Sequence, residues 1–110
     1  MKLPNGTRAE VGTKLEDYVL NPWHREGRHK ARVFESALGI TLANANALRR
    51  ALLDAAANSD DVKDRGDNGF GSEYTLSFSL TAGKASARVL SAWIILHGED
   101  FPRLTTCFIV

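Results

Sequence analysis

Between Trp23 and Phe34 the chain reads Trp-His-Arg-Glu-Gly-Arg-His-Lys-Ala-Arg-Val-Phe. From Arg25 to Arg32 four cations meet one anion, a local charge of +3 before His29 is counted. The pattern predicts a helix from about Gly27, so Arg28, His29 and Lys30 fall in its opening turn. Cations there oppose the positive end of the helix dipole and cost roughly a few tenths of a kcal/mol each. A bound phosphate reverses that penalty, because free backbone N–H groups, the dipole and the cations then converge on one ligand. The plain alternative is a helix that starts earlier, with Asn21 as cap and Pro22 in the first turn, which leaves these charges on a solvated face.

Histidine is the side chain best suited to proton transfer near neutral pH. At about 100° per residue His29 lies roughly 40° from Val33 and about 80° from Ala37, which predicts a place on the border of the apolar stripe. Lys30 and Arg32 flank it as cations that stabilise charge on a phosphoryl group. Arg25, Arg28 and His24 extend the cluster as a phosphate- or nucleic-acid-binding surface. A border histidine is also a common structural group, so the weight rests on the cluster rather than on His29 alone.

Other chemistries lack their residues. Three histidines and one cysteine do not make a zinc site of paired cysteines and histidines. Asp60, Asp61, Asp64 and Asp67 lack EF-hand spacing and its terminal glutamate. Gly66-x-x-Gly69-x-Gly71 neither follows a strand nor opens a helix, no GxxxxGK loop occurs, and Ser91 sits in no GxSxG. No metal and no cofactor is expected. His97 reads as an exposed loop histidine, and Trp23 and Phe101 read as packing residues, with stacking on a base as the alternative for both.

The elements that position the cluster follow from periodicity. Pro4-Asn5-Gly6 predicts a small hairpin or irregular arm. Thr13 and Glu16 fit a capping box for a first helix that stops at Asn21-Pro22. The second helix runs from about Gly27 to Gly39, with Ala31, Phe34 and Leu38 inward and Gly39 as a left-handed cap. Thr41 caps a third, whose stripe is Ala45, Leu48, Leu52 and Ala55. Asn58 to Glu73, with four aspartates and three glycines, reads as an exposed loop. Tyr74, Leu76, Phe78 and Leu80 then alternate with polar residues as a strand, and Ala82-Gly83-Lys84 turns into a second strand from Ala85 to Leu96. Apolar residues on both faces near Trp93 suggest a central strand with a bulge near Ser91. Leu104 to Val110 is the last strand. The fold class is α+β, about three N-terminal helices packed on a C-terminal antiparallel sheet of three to four strands.

Length and composition set the frame. The chain has 110 residues, 44% of them hydrophobic and 25% charged, which fits one folded domain over residues 1–110. A net charge of +1 excludes a uniformly basic coat for nucleic acid. It is nonetheless a sum of unlike parts, since Asn58 to Glu73 holds five acids against Lys63 and Arg65. A basic mouth distant from an acidic loop suits a protein that engages one phosphate at a time. The apolar runs are far shorter than the ~20 residues that span a bilayer, and no membrane partner is expected. With no secretory stretch at Met1 to Gly6 and Cys107 as the only cysteine, a reducing cytoplasm is the expected compartment.

Two resemblances add to this reading. The segment Gly27-Arg28-His29-Lys30-Ala31-Arg32-Val33-Phe34 with Leu38-Gly39 resembles a family of small uncharacterised bacterial domain proteins. So do Ala92-Trp93-Ile94, the run Gly98-Glu99-Asp100-x-Pro102-Arg103-Leu104-Thr105-Thr106-Cys107 and the N-terminal Lys2-Leu3-Pro4-Asn5-Gly6. The helix opening on a histidine–lysine pair, followed by an antiparallel sheet with a terminal Pro-Arg-Leu-Thr-Thr strand, is also similar to barnase-like ribonuclease toxin domains. That superfamily holds metal-independent endoribonucleases of toxin–antitoxin and polymorphic toxin systems. The resemblance implies His29 as the helix histidine, Lys30 or Arg32 as the cation and Thr106 as a strand hydroxyl lining the site. The barnase pattern of a glutamate base with a strand histidine and an arginine is not matched by a glutamate in a predicted strand, so the acid–base pair stays open.

Two functions are therefore expected to compete. One is a metal-independent endoribonuclease or RNA-binding toxin-like domain, with RNA or another phosphate ligand as partner and an antitoxin or immunity-type protein as its counterpart. The other is a non-catalytic interaction module that partners a neighbouring operon-encoded protein.

Overall fold

The computed structural model describes residues 1–110. The N-terminal arm forms no hairpin. Asn5 takes the left-handed conformation at φ 52° and the chain enters a 3-10 turn, Gly6–Arg8. Gly6 lies directly against the carbonyl of Ala56, where a Cβ has no room. This anchors the arm to the end of a helix fifty residues away, with Leu3 and Val11 buried. Glu10 then forms a parallel bridge to Arg103.

The stretch after Thr13 makes only a five-residue π-helical turn, Leu15–Val19, and not the capped helix that the pattern suggested. Its buried Leu15 and Val19 keep the apolar stripe. The capping box does not form because Glu16 has a stronger partner. Arg49 Nη2 donates to both carboxylate oxygens at 2.6 Å, a charge-assisted contact roughly twice as strong as a neutral one. The guanidinium holds the Glu16 carboxyl below its ordinary range.

Helix α1 spans Gly27–Leu38 and buries Gly27, Ala31, Phe34 and Leu38. Gly39 ends it at φ 66°, with its N–H bonded to the Glu35 carbonyl. Thr41 caps the next segment: its hydroxyl accepts from Ala43 N and its own N–H donates to Asn44 Oδ1. A 3-10 turn, Leu42–Asn44, leads into helix α2, Ala45–Asn58, whose buried stripe is Ala45, Leu48, Leu52, Ala55 and Ala56.

The sheet has four strands in the order β1-β2-β3-β4, all antiparallel: β1 Val62–Asp67, β2 Gly71–Ala82, β3 Ala85–Leu96 and β4 Arg103–Ile109. The expected loop from Asn58 to Glu73 is thus largely strand. Only Val62 of β1 is buried, so no apolar alternation marks it. It exists because its backbone pairs with β2; Gly66 at φ 86° sits within it where Arg65 interrupts the register, and Gly69 at φ 96° turns the chain into β2. The fold class is α+β with the helices N-terminal and the sheet C-terminal.

One face of the sheet meets the helices through Tyr74, Leu76, Val89, Trp93, Leu104 and Cys107, which belong to a core cluster of 20 buried residues. β3 is central, as its apolar residues on both faces implied, and it pairs with β2 without a break. The irregularity lies in the other pairing, where Ala92 faces Thr106 but Trp93 faces Leu104, leaving Thr105 as the extra residue of a bulge on β4. Ser91 is a packing residue. Its Oγ donates to the Leu76 carbonyl and accepts from Trp93 Nε1, each at 2.9 Å. Ser91→Ala leaves the buried Trp93 indole N–H without its partner, so it lowers unfolding stability by about 1–3 kcal/mol, read as a fall in the urea midpoint at constant slope.

Candidate functional site

The loop between the π-helical turn and α1 determines how α1 begins. The Trp23 N–H donates to Asn21 Oδ1 at 2.8 Å. Next, the Nδ1 of His24 accepts from the N–H groups of Glu26 and Gly27, both at 3.0 Å, while its carbonyl accepts from Arg28 N. His24, two residues before the N-cap Glu26, therefore supplies the side-chain acceptor that Ser, Thr, Asp or Asn normally gives at a helix start. Three donors at the start of α1, the N–H groups of Glu26, Gly27 and Arg28, are thus bonded within the protein and do not cradle a phosphate. With Nδ1 accepting, a neutral His24 carries its proton on Nε2 and presents an N–H outward.

The His24 ring meets the edge of Tyr18, with centroids 4.8 Å apart at 68°. Lys30 reaches the same tyrosine from α1. Its ammonium lies 4.4 Å from the ring centroid and also donates to Tyr18 Oη. An ammonium has only donors, so Tyr18 Oη is the acceptor and its own proton is free to point elsewhere. Lys30 is half-buried and no carboxylate lies within ion-pair distance.

Tyr18 and His24 border a cleft of about 510 Å³ between the π-helical turn, the loop before α1 and the bulged part of β4, and Lys30 stands behind its wall, in contact with Tyr18. It is lined by Thr13, Lys14, Asp17, Tyr18, His24, Glu26, Thr105 and Thr106. Thr106 Oγ1 is sealed from solvent and has no hydrogen-bond partner. A bulge is the usual device for re-aiming strand side chains beside a site, and here it brings Thr105 and Thr106 to the cleft wall.

The other sequence candidates are distributed differently. His29 is exposed and makes no hydrogen bond to another side chain. The inward stripe of α1 is Gly27, Ala31, Phe34 and Leu38, whereas Val33 is 44% exposed. His29 therefore stands opposite the stripe at about 200° from Gly27, not on its border. Arg28 and Arg32 face a second groove of about 280 Å³, lined also by Leu20, Pro22, Glu35, Thr41 and Leu42. Arg25 is exposed between the two. His97 is exposed and pairs with Asp67, whose carboxyl it holds below the ordinary range. Phe101 packs under the Arg103 guanidinium, while Trp23 is 88% exposed instead of packed. The aspartates of the former loop are engaged singly: Asp61 with Arg88, Asp64 with Gly66 N, and Asp67 with His97 and Gly69 N.

Sequence reasoning missed Tyr18, Lys14, Asp17 and Glu26 as cleft residues. Only Tyr18 carried a signal, as an aromatic with a polar tip on the border of an apolar stripe.

A family model described as Domain of unknown function (DUF6883) matches residues 2–110. The chain belongs to this DUF6883 family. No functionally curated protein matches the sequence. Among solved structures, a chain of the "Contact-dependent growth inhibition toxin - immunity protein complex from Klebsiella pneumoniae 342" has the same fold, with a TM-score of 0.71 at 15% identity. The alignment covers 91% of the DUF6883 domain and 98% of that chain.

Two measurements check this geometry. His24→Ala removes the capping acceptor of α1 and costs about 1 kcal/mol of stability, whereas His24→Asn keeps an acceptor and recovers most of it. In the core beneath Lys30, burial pushes the Cys107 thiol from 9.0 up to about 12, with the Lys30 charge opposing more weakly. The folded DUF6883 domain then keeps a proton that the unfolded chain releases from about pH 9 upward. Stability therefore falls as pH rises through the window from 9.0 to about 12, and Cys107→Ala makes that fall shallower. At neutral pH the thiol reacts with Ellman's reagent only as fast as the protein opens.

Proposed function

We propose that the cleft cleaves RNA without a metal, as a toxin-like endoribonuclease domain. The observation that carries this reading is the half-buried Lys30 ammonium, which has no carboxylate partner and is held on Tyr18 beside a cleft that also contains the unpartnered hydroxyl of Thr106. A half-buried cation without a counter-charge and a buried hydroxyl without a partner are costly, and a phosphoryl oxygen supplies what each lacks. Tyr18 O–H and His24 Nε2–H add donors of the same sense.

In the proposed step a ribose 2′-hydroxyl loses its proton to a carboxylate on the cleft wall, Glu26 or Asp17. The 2′-oxygen bonds to the adjacent phosphorus and the bond to the 5′-oxygen breaks. Lys30 and Thr106 stabilise the negative charge that accumulates on the non-bridging oxygens, and the Tyr18 O–H, whose oxygen accepts from Lys30, gives its proton to the departing 5′-oxygen, the protonated carboxyl then returning a proton to the phenolate through solvent. The products are a 2′,3′-cyclic phosphate and a 5′-hydroxyl, and neither water nor metal is consumed. Arg25, Arg28 and Arg32 attract the RNA backbone, and the exposed His29 adds to that field without touching the reacting atoms.

A second reading is supported by the fold shared with a chain of a toxin–immunity complex and by β4, an edge strand that Glu10 covers only at its start. In it the domain docks an immunity-type protein through that edge by strand addition. The two are compatible, since the cleft and the outer edge of β4 are different surfaces of the domain.

The test is incubation with structured RNA in EDTA. Wild type is expected to yield 2′,3′-cyclic ends, Lys30→Ala and Tyr18→Phe to slow cleavage by about a hundredfold or more, and His29→Ala to stay within a few-fold. RNA left intact by wild type at catalytic concentration rejects the enzymatic reading. Loss of activity in His29→Ala but not in Lys30→Ala moves the chemistry out of the cleft.

A further inference from the structure

The two tryptophans of the chain have opposite environments. Trp93 is fully buried, whereas Trp23 is 88% exposed. Tryptophan is on average well buried, and here the exposure is not that of a loose tail. The Trp23 N–H is bonded to Asn21 Oδ1, the His24 N–H to the Asn21 carbonyl, and the His24 ring is locked as the capping acceptor of α1. A rigid turn thus presents an indole that packs on nothing.

Its neighbours show what chemistry it faces. Pro22 lines the groove that contains Arg28 and Arg32, and His24 lines the proposed catalytic cleft. Consecutive Cα atoms are about 3.8 Å apart, so Trp23 sits on the ridge between the two concavities. Elsewhere Arg8, Arg49, Arg88 and Arg103 each hold a carboxylate. Arg50 and Arg65 stand singly without one, whereas Arg25, Arg28 and Arg32 form a group that holds none, although Glu26 is adjacent in sequence and Glu35 lines the same groove. A bare aromatic plane flanked by unpaired guanidinium groups is the combination that binds single-stranded nucleic acid: the plane stacks a base of any identity and the cations follow the phosphates. A duplex keeps its base faces covered and cannot use the indole.

We propose that Trp23 is a stacking platform for an unpaired base of a single-stranded RNA segment, with Arg28 and Arg32 holding the phosphates on one side of it and the cleft receiving the neighbouring phosphate on the other. This rests on the RNA-directed reading of the cleft and names its substrate as unpaired RNA. An acidic protein surface would satisfy the arginines but has no base to place on the indole.

The probe is a short 2′-O-methyl oligoribonucleotide, which has no 2′-hydroxyl to attack and therefore binds without being cut. Because Trp93 is buried, quenching of the solvent-exposed emission reports Trp23. Saturable quenching by the single strand is expected, with little from the same sequence annealed as a duplex. Trp23→Ala should weaken binding of a labelled oligomer about five- to hundredfold, and Trp23→Phe should retain most of the affinity. Equal quenching by duplex, equal quenching by a deca-glutamate peptide, or unchanged affinity in Trp23→Ala overturns the platform. If the oligomer quenches Trp23 but wild type leaves natural RNA intact, the cleavage reading fails and the platform stands. If wild type cleaves RNA while Trp23→Ala binds normally, the platform fails and the cleavage reading stands.

Discussion

The cleft depends on one close approach. Gly27 opens α1 against the backbone carbonyl of Tyr18, and a Cβ at that position would coincide with it. This contact brings the π-helical turn onto the first turn of the helix. Tyr18 can then meet His24 from the loop and Lys30 from one turn further along. Glycine is needed here for space and not for a special dihedral, since the helix continues through it. A π-helical turn, rare and often found at functional positions, makes the approach from the other side. The side chains that line the cleft come from segments that do not pack on one another without it.

Charge in this molecule is divided between groups that hold the fold and groups left unpaired. Arg49 ties the π-helical turn to α2 through Glu16, Arg8 ties the N-terminal arm to Asp100, and Arg103 joins β4 to Glu99 and Glu10. The carboxyls of Glu16, Glu99 and Asp100 are held below their ordinary range mainly by those arginines. All these pairs are partly or fully solvated, so each contributes modestly to stability. None of these pairs involves the cations of α1 and its preceding loop, Arg25, Arg28, Lys30 and Arg32, which form a local group without carboxylate partners. A local field of this kind attracts a polyanion to one place even though the net charge is close to zero.

The sheet contributes through an irregularity. β2 and β3 pair without interruption, and the core between them and the helices is closed around Trp93, whose indole N–H is satisfied by Ser91. On the far side of β3 the extra residue at Thr105 breaks the register of β4. The two threonines then reach the cleft, while Leu104 and Cys107 on either side stay in the core. One inserted residue thus lets a single strand serve both packing and the site.

Much of this was legible in the chain. The 3.6-residue period placed α1 and α2 and their caps at Gly39 and Thr41, and the two-residue period placed β2 and β3, because burial of one face imposes those periods wherever it occurs. The basic cluster was visible as composition. Two kinds of feature were not. β1 has almost no buried side chain, so its strand character exists only in the backbone bonds it makes with β2. The place of His29 was the other: Ala31, Phe34 and Leu38 face inward as their spacing implied, but Val33 and Ala37 do not widen that stripe, which leaves His29 in solvent while Lys30 turns toward Tyr18. Sequence by itself determined which elements form and which chemical groups are present. Which of those groups meet was decided by the tertiary structure, because the contacts of Gly27, His24 and the β4 bulge join segments whose proximity no local period encodes.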